Sequence, residues 1–293
     1  MTASHAFLVS PAASHDARVD YASTFTDVDA AAPALPLSEL SAQRGDGVFE
    51  TLGVMDGVAH EVDSHLDRFA RSAALCELPA PNHAQWRQAV HRAAAEAGPG
   101  ESSIKIVLSR GTGDGAATGW VTLSPAPDFT EARTQGIRVT ALDRGVAHGV
   151  PDRTPWLLWG AKTLSYAPNM AALREAHRRG FDDALFVTSD GYVLEAPTAS
   201  VLLRLGGVYV TPRPAGGILH GTTQISVFAW LEQQGHTAEY RDVRVEELAE
   251  ADAAWLLSSV RLAAPVRMLD GRQVPIDGPL TAAMNAALLA RGA

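Results

Sequence analysis

The sequence predicts an α+β chain of two domains built on mixed or antiparallel sheets. Three observations predict this. The 293 residues exceed the roughly 100–200 that one domain usually takes. Short apolar runs of strand character outnumber stretches with helical spacing, and many are joined by tight turns such as Asp56-Gly57, Asp190-Gly191, Gly206-Gly207 and Asp270-Gly271. Hydrophobic residues make up 46% against 19% charged, enough to fill packed cores and the opposite of the balance that disorder needs.

In chain order, residues 1–40 are rich in Ala, Ser, Asp and Pro with weak periodicity and predict a short strand with an irregular lead-in. From Gly47 the pattern sharpens: Val48 to Val54 forms a strand that turns at Met55-Asp56-Gly57. Apolar residues at helical spacing (Leu66, Phe69, Ala70, Ala73, Ala74) predict a helix over 62–76. A second helix runs over 83–97 and stops at Gly98-Pro99-Gly100. Strands follow at 104–108, 120–123 and 137–141. Residues 144–155 carry Gly, Pro and Asp without periodicity and are the expected linker, dividing a domain of residues 1–143 from one of residues 156–293. The second domain begins with the apolar run Trp156-Leu157-Leu158-Trp159, read as leading into a strand end. It continues with a helix over 169–179 and short strands at 184–187, 192–195, 200–205 and 208–210. A helix from Thr222 to about Gly235, a strand at 254–258 and a hairpin over 266–274 complete it.

Composition narrows the function classes. A net charge of −9 and the lack of any dense Lys/Arg stretch argue against a nucleic-acid surface. One cysteine, Cys76, rules out an internal disulfide framework and a multi-cysteine zinc site. The first ten residues lack the pattern of a secretory signal. No uncharged apolar run approaches the ~20 residues that span a bilayer. A cytoplasmic protein with neither membrane nor nucleic-acid partner is expected.

The basic residues are the most informative. Of 24, 22 are arginine and only Lys105 and Lys162 are lysine. Arginine serves most surface purposes, yet guanidinium does not deprotonate in proteins, so a neutral amine requires lysine. Lys162 lies in Trp159-Gly160-Ala161-Lys162-Thr163-Leu164-Ser165-Tyr166, where an apolar setting would free its lone pair for imine formation. A lysine paired with an acid, or one on the surface, is the structural alternative. Two further segments suit the same chemistry. Leu219-His220-Gly221-Thr222-Thr223 feeds a helix start and could hold a phosphate, or simply cap the helix. Glu195 ends the apolar strand Tyr192-Val193-Leu194, where a buried carboxylate needs a partner such as a protonated ring nitrogen or an arginine. His60-Glu61 with His65 is one residue too long for a zinc-protease helix, and Gly111-Thr112-Gly113-Asp114-Gly115 fits no nucleotide loop and reads as a flexible hairpin.

In order, the segments Arg44 to Thr51, His65-Leu66-Asp67-Arg68, Ile104 to Gly111, the Lys162 segment, Gly191 to Thr198, Gly221-Thr222-Thr223 and Ser258-Ser259 before Pro265 resemble the fold-type IV pyridoxal 5'-phosphate (PLP) enzymes. These are the class IV aminotransferases and 4-amino-4-deoxychorismate lyases. The resemblance covers residues 44–274. It implies the two-domain fold of D-amino acid aminotransferase, a larger C-terminal domain that binds PLP, and a homodimer. It implies Lys162 as the lysine bonded to PLP and Glu195 as partner of the pyridine nitrogen. Arg68, Thr222, Thr223 and Ser259 would hold the phosphate, with Tyr166 and Thr198 as further cofactor contacts. Phe49, Arg110 and Arg261 would meet a small amino substrate, the two arginines through its carboxylates, and no metal is implied. D-amino acid aminotransferases carry an Arg-x-His motif where this chain reads Gly113 to Ala117, and branched-chain enzymes a Gly-Thr-Ala where it reads Ser259-Val260-Arg261. The Lys105/Arg110 strand and the runs 161–170 and 258–264 are similar instead to actinobacterial aminodeoxychorismate lyases. The expected activity is therefore elimination giving 4-aminobenzoate and pyruvate, with transamination to a 2-keto acid as the alternative.

Overall fold

A computed structural model describes residues 4–290 except 114, 215 and 216. Contacts divide the chain into two units. The first holds residues up to Pro127 together with Ala161–Tyr166, and the second holds Asp128–Gly160 and Ala167–Ala290. The expected loop at 111–115 is a turn, with Asp114 outside the described residues.

The first unit contains strands β1 (His5–Val9), β2 (Phe25–Asp27), β3 (Gly47–Met55), β4 (Val58–Ala59), β5 (Glu101–Ser109) and β6 (Thr118–Pro125), with helices α1 (Leu40–Arg44), α2 (Val62–Leu75) and α3 (His83–Ala95). Its sheet runs β2-β1-β6-β5-β3-β4, antiparallel throughout. The β3–β4 turn places Asp56 at φ 49° and Gly57 at φ 81°, the left-handed pair that the Asp-Gly signal predicts. Leu66, Phe69 and Ala73 of α2 and Trp86, Ala89, Val90 and Ala93 of α3 are fully buried with Leu52, Ile104, Ile106 and Val121 of the sheet. The 3.6-residue spacing of one set and the alternation of the other thus meet in one core.

The second unit contains α4 (Thr130–Thr134), β7 (Ile137–Asp143), α5 (Ala167–Arg178), β8 (Asp183–Val187), β9 (Ser200–Leu205), β10 (Val208–Pro212), α6 (Thr222–Gln233), β11 (Ala238–Arg241), β12 (Ala253–Ser258), β13 (Leu262–Leu269), β14 (Arg272–Gln273) and α7 (Gly278–Leu289). Its eight strands run β11-β10-β9-β12-β13-β7-β8, with β14 beside β13. The sheet is mixed: β7 is parallel to β8 and β13, and β9, β12 and their neighbours are antiparallel. The continuous apolar run of β12 follows from burial on both faces. Ala254 and Leu256 join one core with Val201, Leu203 and Val266, whereas Trp255 and Leu257 join another with Phe228, Leu231 and Met284 of α6 and α7.

Several expectations are corrected here. The boundary falls at 127/128 and not within 144–155, because β7 pairs with β8 and β13 of the second sheet. Trp156 and Leu157 are exposed, at 71% and 52%, in a single helical turn over Pro155–Leu157, so Lys162 does not follow a buried strand. Residues 192–195 make isolated bridges, Tyr192 to Arg244 and Val193 to Val187, and form no named strand. Helix α7 was not anticipated: alanines dominate its sequence, and only Thr281, Met284 and Leu288 of it are buried.

Candidate active site

In the first unit the chain returns to β3 at residues 162–164. Phe49 N–H donates to the Lys162 carbonyl at 3.0 Å and Leu164 N–H to the Gly47 carbonyl at 2.8 Å, and Val48 bridges Thr163. Only glycine fits at 47, because a Cβ there would meet the Leu108 carbonyl at 2.8 Å. The Lys162 Nζ lies 4.6 Å from the centre of the Phe49 ring and 5.5 Å from that of Tyr166, and the two rings meet edge-on at 5.2 Å. Lys105, the other lysine, reaches the same ring, its Nζ 5.3 Å from the Phe49 centroid. Part of the Lys105 side chain is open to solvent, yet the protein around the amine desolvates it and lowers its pKa.

Behind these residues Glu50, at 0% exposure, accepts from Arg68 Nε and Nη2, each at 2.7 Å, and from His65 Nδ1 at 2.7 Å. Burial alone would raise the Glu50 pKa, but the Arg68 charge and the bonds from Arg68 and His65 outweigh it and hold the carboxyl far below its ordinary range. A carboxylate depressed in the folded state stabilises the fold fully above its unfolded pKa of about 4.3 and loses that contribution as pH falls below it. Acid unfolding of the native chain is therefore expected to steepen below about pH 4. Glu50→Gln should flatten that limb, as followed by circular dichroism against pH.

Arg110 donates from Nε to Asp46 at 2.7 Å, from Nη1 to the Glu77 carbonyl and from Nη2 to the Cys76 carbonyl. Its guanidinium thereby fastens the end of β5 to the end of α2. Cys76 is buried, and burial pushes its thiol pKa up, away from nucleophilic use.

In the second unit α6 begins at Gly221, whose Cβ, if present, would collide with Ser200 Oγ. Thr222 Oγ1 and Thr223 Oγ1 lie 3.4 and 3.3 Å from Ser259 Oγ. Three hydroxyls thus converge at the first turn of a helix, where backbone amides lack intrahelical acceptors. That donor set fits a phosphate. Glu195 Oε2 accepts the Leu219 N–H at 3.1 Å, and the same carboxylate lines a cleft with Arg144, Trp159, Phe186 and Ile218. An acidic acceptor in such a cleft fits a protonated pyridine nitrogen. Thr198 is exposed, although the preceding Pro197 carbonyl accepts from Asn169 at 2.7 Å. Arg261 pairs with buried Asp183 at 2.8 Å, and its buried Nε finds no acceptor among the described residues. Arg133 holds this turn from behind, donating to the Val260 and Arg261 carbonyls at 2.9 Å each. Among the described residues no group of three or more His, Cys, Asp or Glu side chains is placed to hold a metal, and no helix is long and apolar enough to cross a membrane.

Sequence reading missed Glu50, His65 and Ser72. A charged residue inside the strand Val48-Phe49-Glu50-Thr51-Leu52 was the available signal, since such a carboxylate must find a cation when buried.

A half-buried lysine lies against two aromatic rings in the first unit, and three hydroxyls converge at a helix start in the second; each fits one part of PLP, an aldehyde and a phosphate. Residues 47–269 match the model of amino-transferase class IV, and the chain belongs to that PLP-dependent family. It is 43% identical over 255 residues to the bifunctional aminodeoxychorismate lyase / D-amino acid transaminase of Mycobacterium tuberculosis, covering 83% of this chain and 88% of that protein. Among solved structures it resembles a fold IV transaminase from Curtobacterium pusillum, with 47% identity, TM-score 0.92 and coverage of 98% and 99% of the two chains. A PLP-bound hypothetical aminotransferase of Mycobacterium tuberculosis shares 39% identity with TM-score 0.87 and 98% coverage of each chain. The fold is thus the expected α+β architecture of fold-type IV enzymes, and the cofactor is PLP.

Proposed function

We propose that this enzyme is a 4-amino-4-deoxychorismate lyase, forming 4-aminobenzoate and pyruvate for folate biosynthesis. The observation that carries the reading is the pair of amines, Lys162 and Lys105, over one Phe49 ring. The substrate is a cyclohexadiene with two carboxylates, one on the ring and one on the enolpyruvyl arm. Lys105 supplies a fixed cation beside the reacting amine for one of them, and Arg261, which pairs with Asp183, is the residue proposed for the other.

In this reading Lys162 carries the cofactor. Glu195 holds the pyridine nitrogen protonated, and Arg68, Thr222, Thr223 and Ser259 hold the phosphate, with Thr198 and Tyr166 as flanking contacts. Bound PLP supplies an electron sink for the carbon that bears the substrate nitrogen. With the cofactor bound, the Lys162 amine would take the proton from that carbon as general base and return it to the departing enolpyruvate, giving pyruvate. Phe49 and Tyr166 keep water from the amine, and loss of the enolpyruvyl group makes the ring aromatic, which drives the reaction. The working unit in this proposal is a cytoplasmic homodimer, checked by elution at twice the chain mass.

The test is aminodeoxychorismate with purified enzyme and no keto acid, following pyruvate with a coupled dehydrogenase. Stoichiometric pyruvate and 4-aminobenzoate are expected. Absence of both, with amino transfer from D-amino acids to 2-keto acids, would replace this reading by transamination, an activity that also appears in the name of the Mycobacterium tuberculosis relative. Lys105→Met is expected to raise KM about tenfold or more with a smaller change in kcat, since a charge-assisted bond contributes roughly 1.5–3 kcal/mol.

A further inference from the structure

Helix α2 carries a polar stripe on a face that is otherwise core. His65, Arg68 and Ser72 follow at spacings of three and four residues, which stacks them on one side of the helix. They are exposed by only 1%, 6% and 1%. Glu50 accounts for the first two. Ser72 is a different case, because serine is neutral to unfavourable in the middle of a helix unless its hydroxyl has a task. Its Oγ accepts the backbone N–H of Lys162 at 3.1 Å.

This bond completes a frame. The Lys162 carbonyl is held by Phe49 N–H and the Leu164 amide by the Gly47 carbonyl, so strand β3 takes the backbone beyond the lysine. The amide of Lys162 itself points the other way, into α2. We propose that Ser72 is a positioning residue for Lys162: its hydroxyl fixes the peptide from which the lysine side chain starts, and thereby where Nζ lies over Phe49. The proposal rests on the reading of Lys162 as the reacting amine. Four rotatable bonds separate the Lys162 backbone from Nζ, so a small tilt of that peptide is amplified at the amine. A misplacement of about 1 Å costs about 100-fold in rate. Arg68, one turn earlier on the same face, would meet the phosphate, so one rigid helix sets both ends of the cofactor in register.

The experiment compares wild type with Ser72→Ala and Ser72→Thr, which keeps the acceptor oxygen. Hydrogen exchange of the Lys162 amide, measured before cofactor is added, should lose protection in Ser72→Ala and keep it in Ser72→Thr. Covalent capture of added PLP, followed by absorbance, should slow about tenfold in the alanine variant. Its kcat should fall 10- to 100-fold with KM and the unfolding midpoint near those of wild type. Wild-type exchange, capture and kcat in Ser72→Ala would overturn the proposal, as would equal loss in both variants, which would point to packing alone. Should Ser72→Ala fail to fold, Ser72→Cys, nearly isosteric and a weaker acceptor, takes its place with the same outcomes. Wild type that gives no borohydride-reducible bond at Lys162 would instead sink the assigned chemistry. The amide-exchange comparison, which needs no cofactor, would still decide whether Ser72 holds that backbone.

Discussion

Lys162→Ala is expected to abolish turnover, with kcat down by about 10³-fold or more, and to remove the absorbance of lysine-bound PLP. Both effects follow from one atom. The Lys162 Nζ sits 4.6 Å from the Phe49 centroid and 5.5 Å from that of Tyr166, and the only other lysine of the chain is Lys105. A general base contributes typically 10²–10⁴-fold, and losing the covalent tether adds to that. Arginine at 162 would keep a cation over Phe49 but could not deprotonate at any working pH, so Lys162→Arg should be as inactive as the alanine variant. Partial activity in the arginine variant would show that a positive charge, and not a basic nitrogen, is what the reaction needs. Free PLP could still bind noncovalently in either variant. The informative readout is therefore the borohydride-reducible bond, mapped by peptide mass, together with turnover.

Glu50→Ala should have the largest effect on stability of any single change discussed here, about 3–5 kcal/mol, the usual cost of removing one partner from a buried ion pair. Glu50 is at 0% exposure and Arg68 at 6%, so water cannot replace the lost carboxylate oxygens. Arg68 and His65 would each lose a buried carboxylate acceptor. Denaturant unfolding reads this as a lower midpoint with an unchanged slope. The same change should weaken PLP binding, because the guanidinium that Glu50 orients through two 2.7 Å bonds is the one assigned to the phosphate. Glu50→Gln separates the two effects. It keeps the shape and one acceptor oxygen but not the charge, so the stability loss should remain while packing does not change. If Glu50→Ala folded with wild-type stability, the Glu50 carboxylate would not be the group that holds Arg68 in place.

Much of the fold was legible because two periods were clean. The apolar spacing of Leu66, Phe69 and Ala73 announced α2, and the turn pairs Asp56-Gly57 and Asp270-Gly271 adopt the positive φ angles that their chemistry predicts. Helix α7 was missed because its buried stripe is only Thr281, Met284 and Leu288, too sparse to stand out among alanines. The unit boundary was misplaced because a parallel pairing such as β7 with β13 leaves no local trace: nothing at residue 137 announces a partner near residue 266. At the site, Lys162, Glu195 and the 222–223 pair stood out by residue type and neighbours. The bonds of Arg110 to the carbonyls of Cys76 and Glu77 were not legible, since a guanidinium near a loop looks the same in sequence whatever it faces. The Glu50–His65–Arg68 network was invisible for a related reason: its members are 15 and 18 residues apart in sequence, and only tertiary packing brings them together.

The segment 161–166 belongs to the first unit although the chain on either side of it belongs to the second. Its bridge to Val48 closes a loop of more than a hundred residues, and contacts across such separations form late because the closure entropy must be met first. During synthesis the first sheet emerges complete in its strands but without the strand-like piece that bears the amine. On refolding from denaturant, helical signal should recover before the protein can bind PLP covalently, with a lag set by threading of residues 162–164 onto β3. A chain cut after residue 127 would keep every strand of the first sheet and lack Lys162, the nitrogen proposed to carry the cofactor.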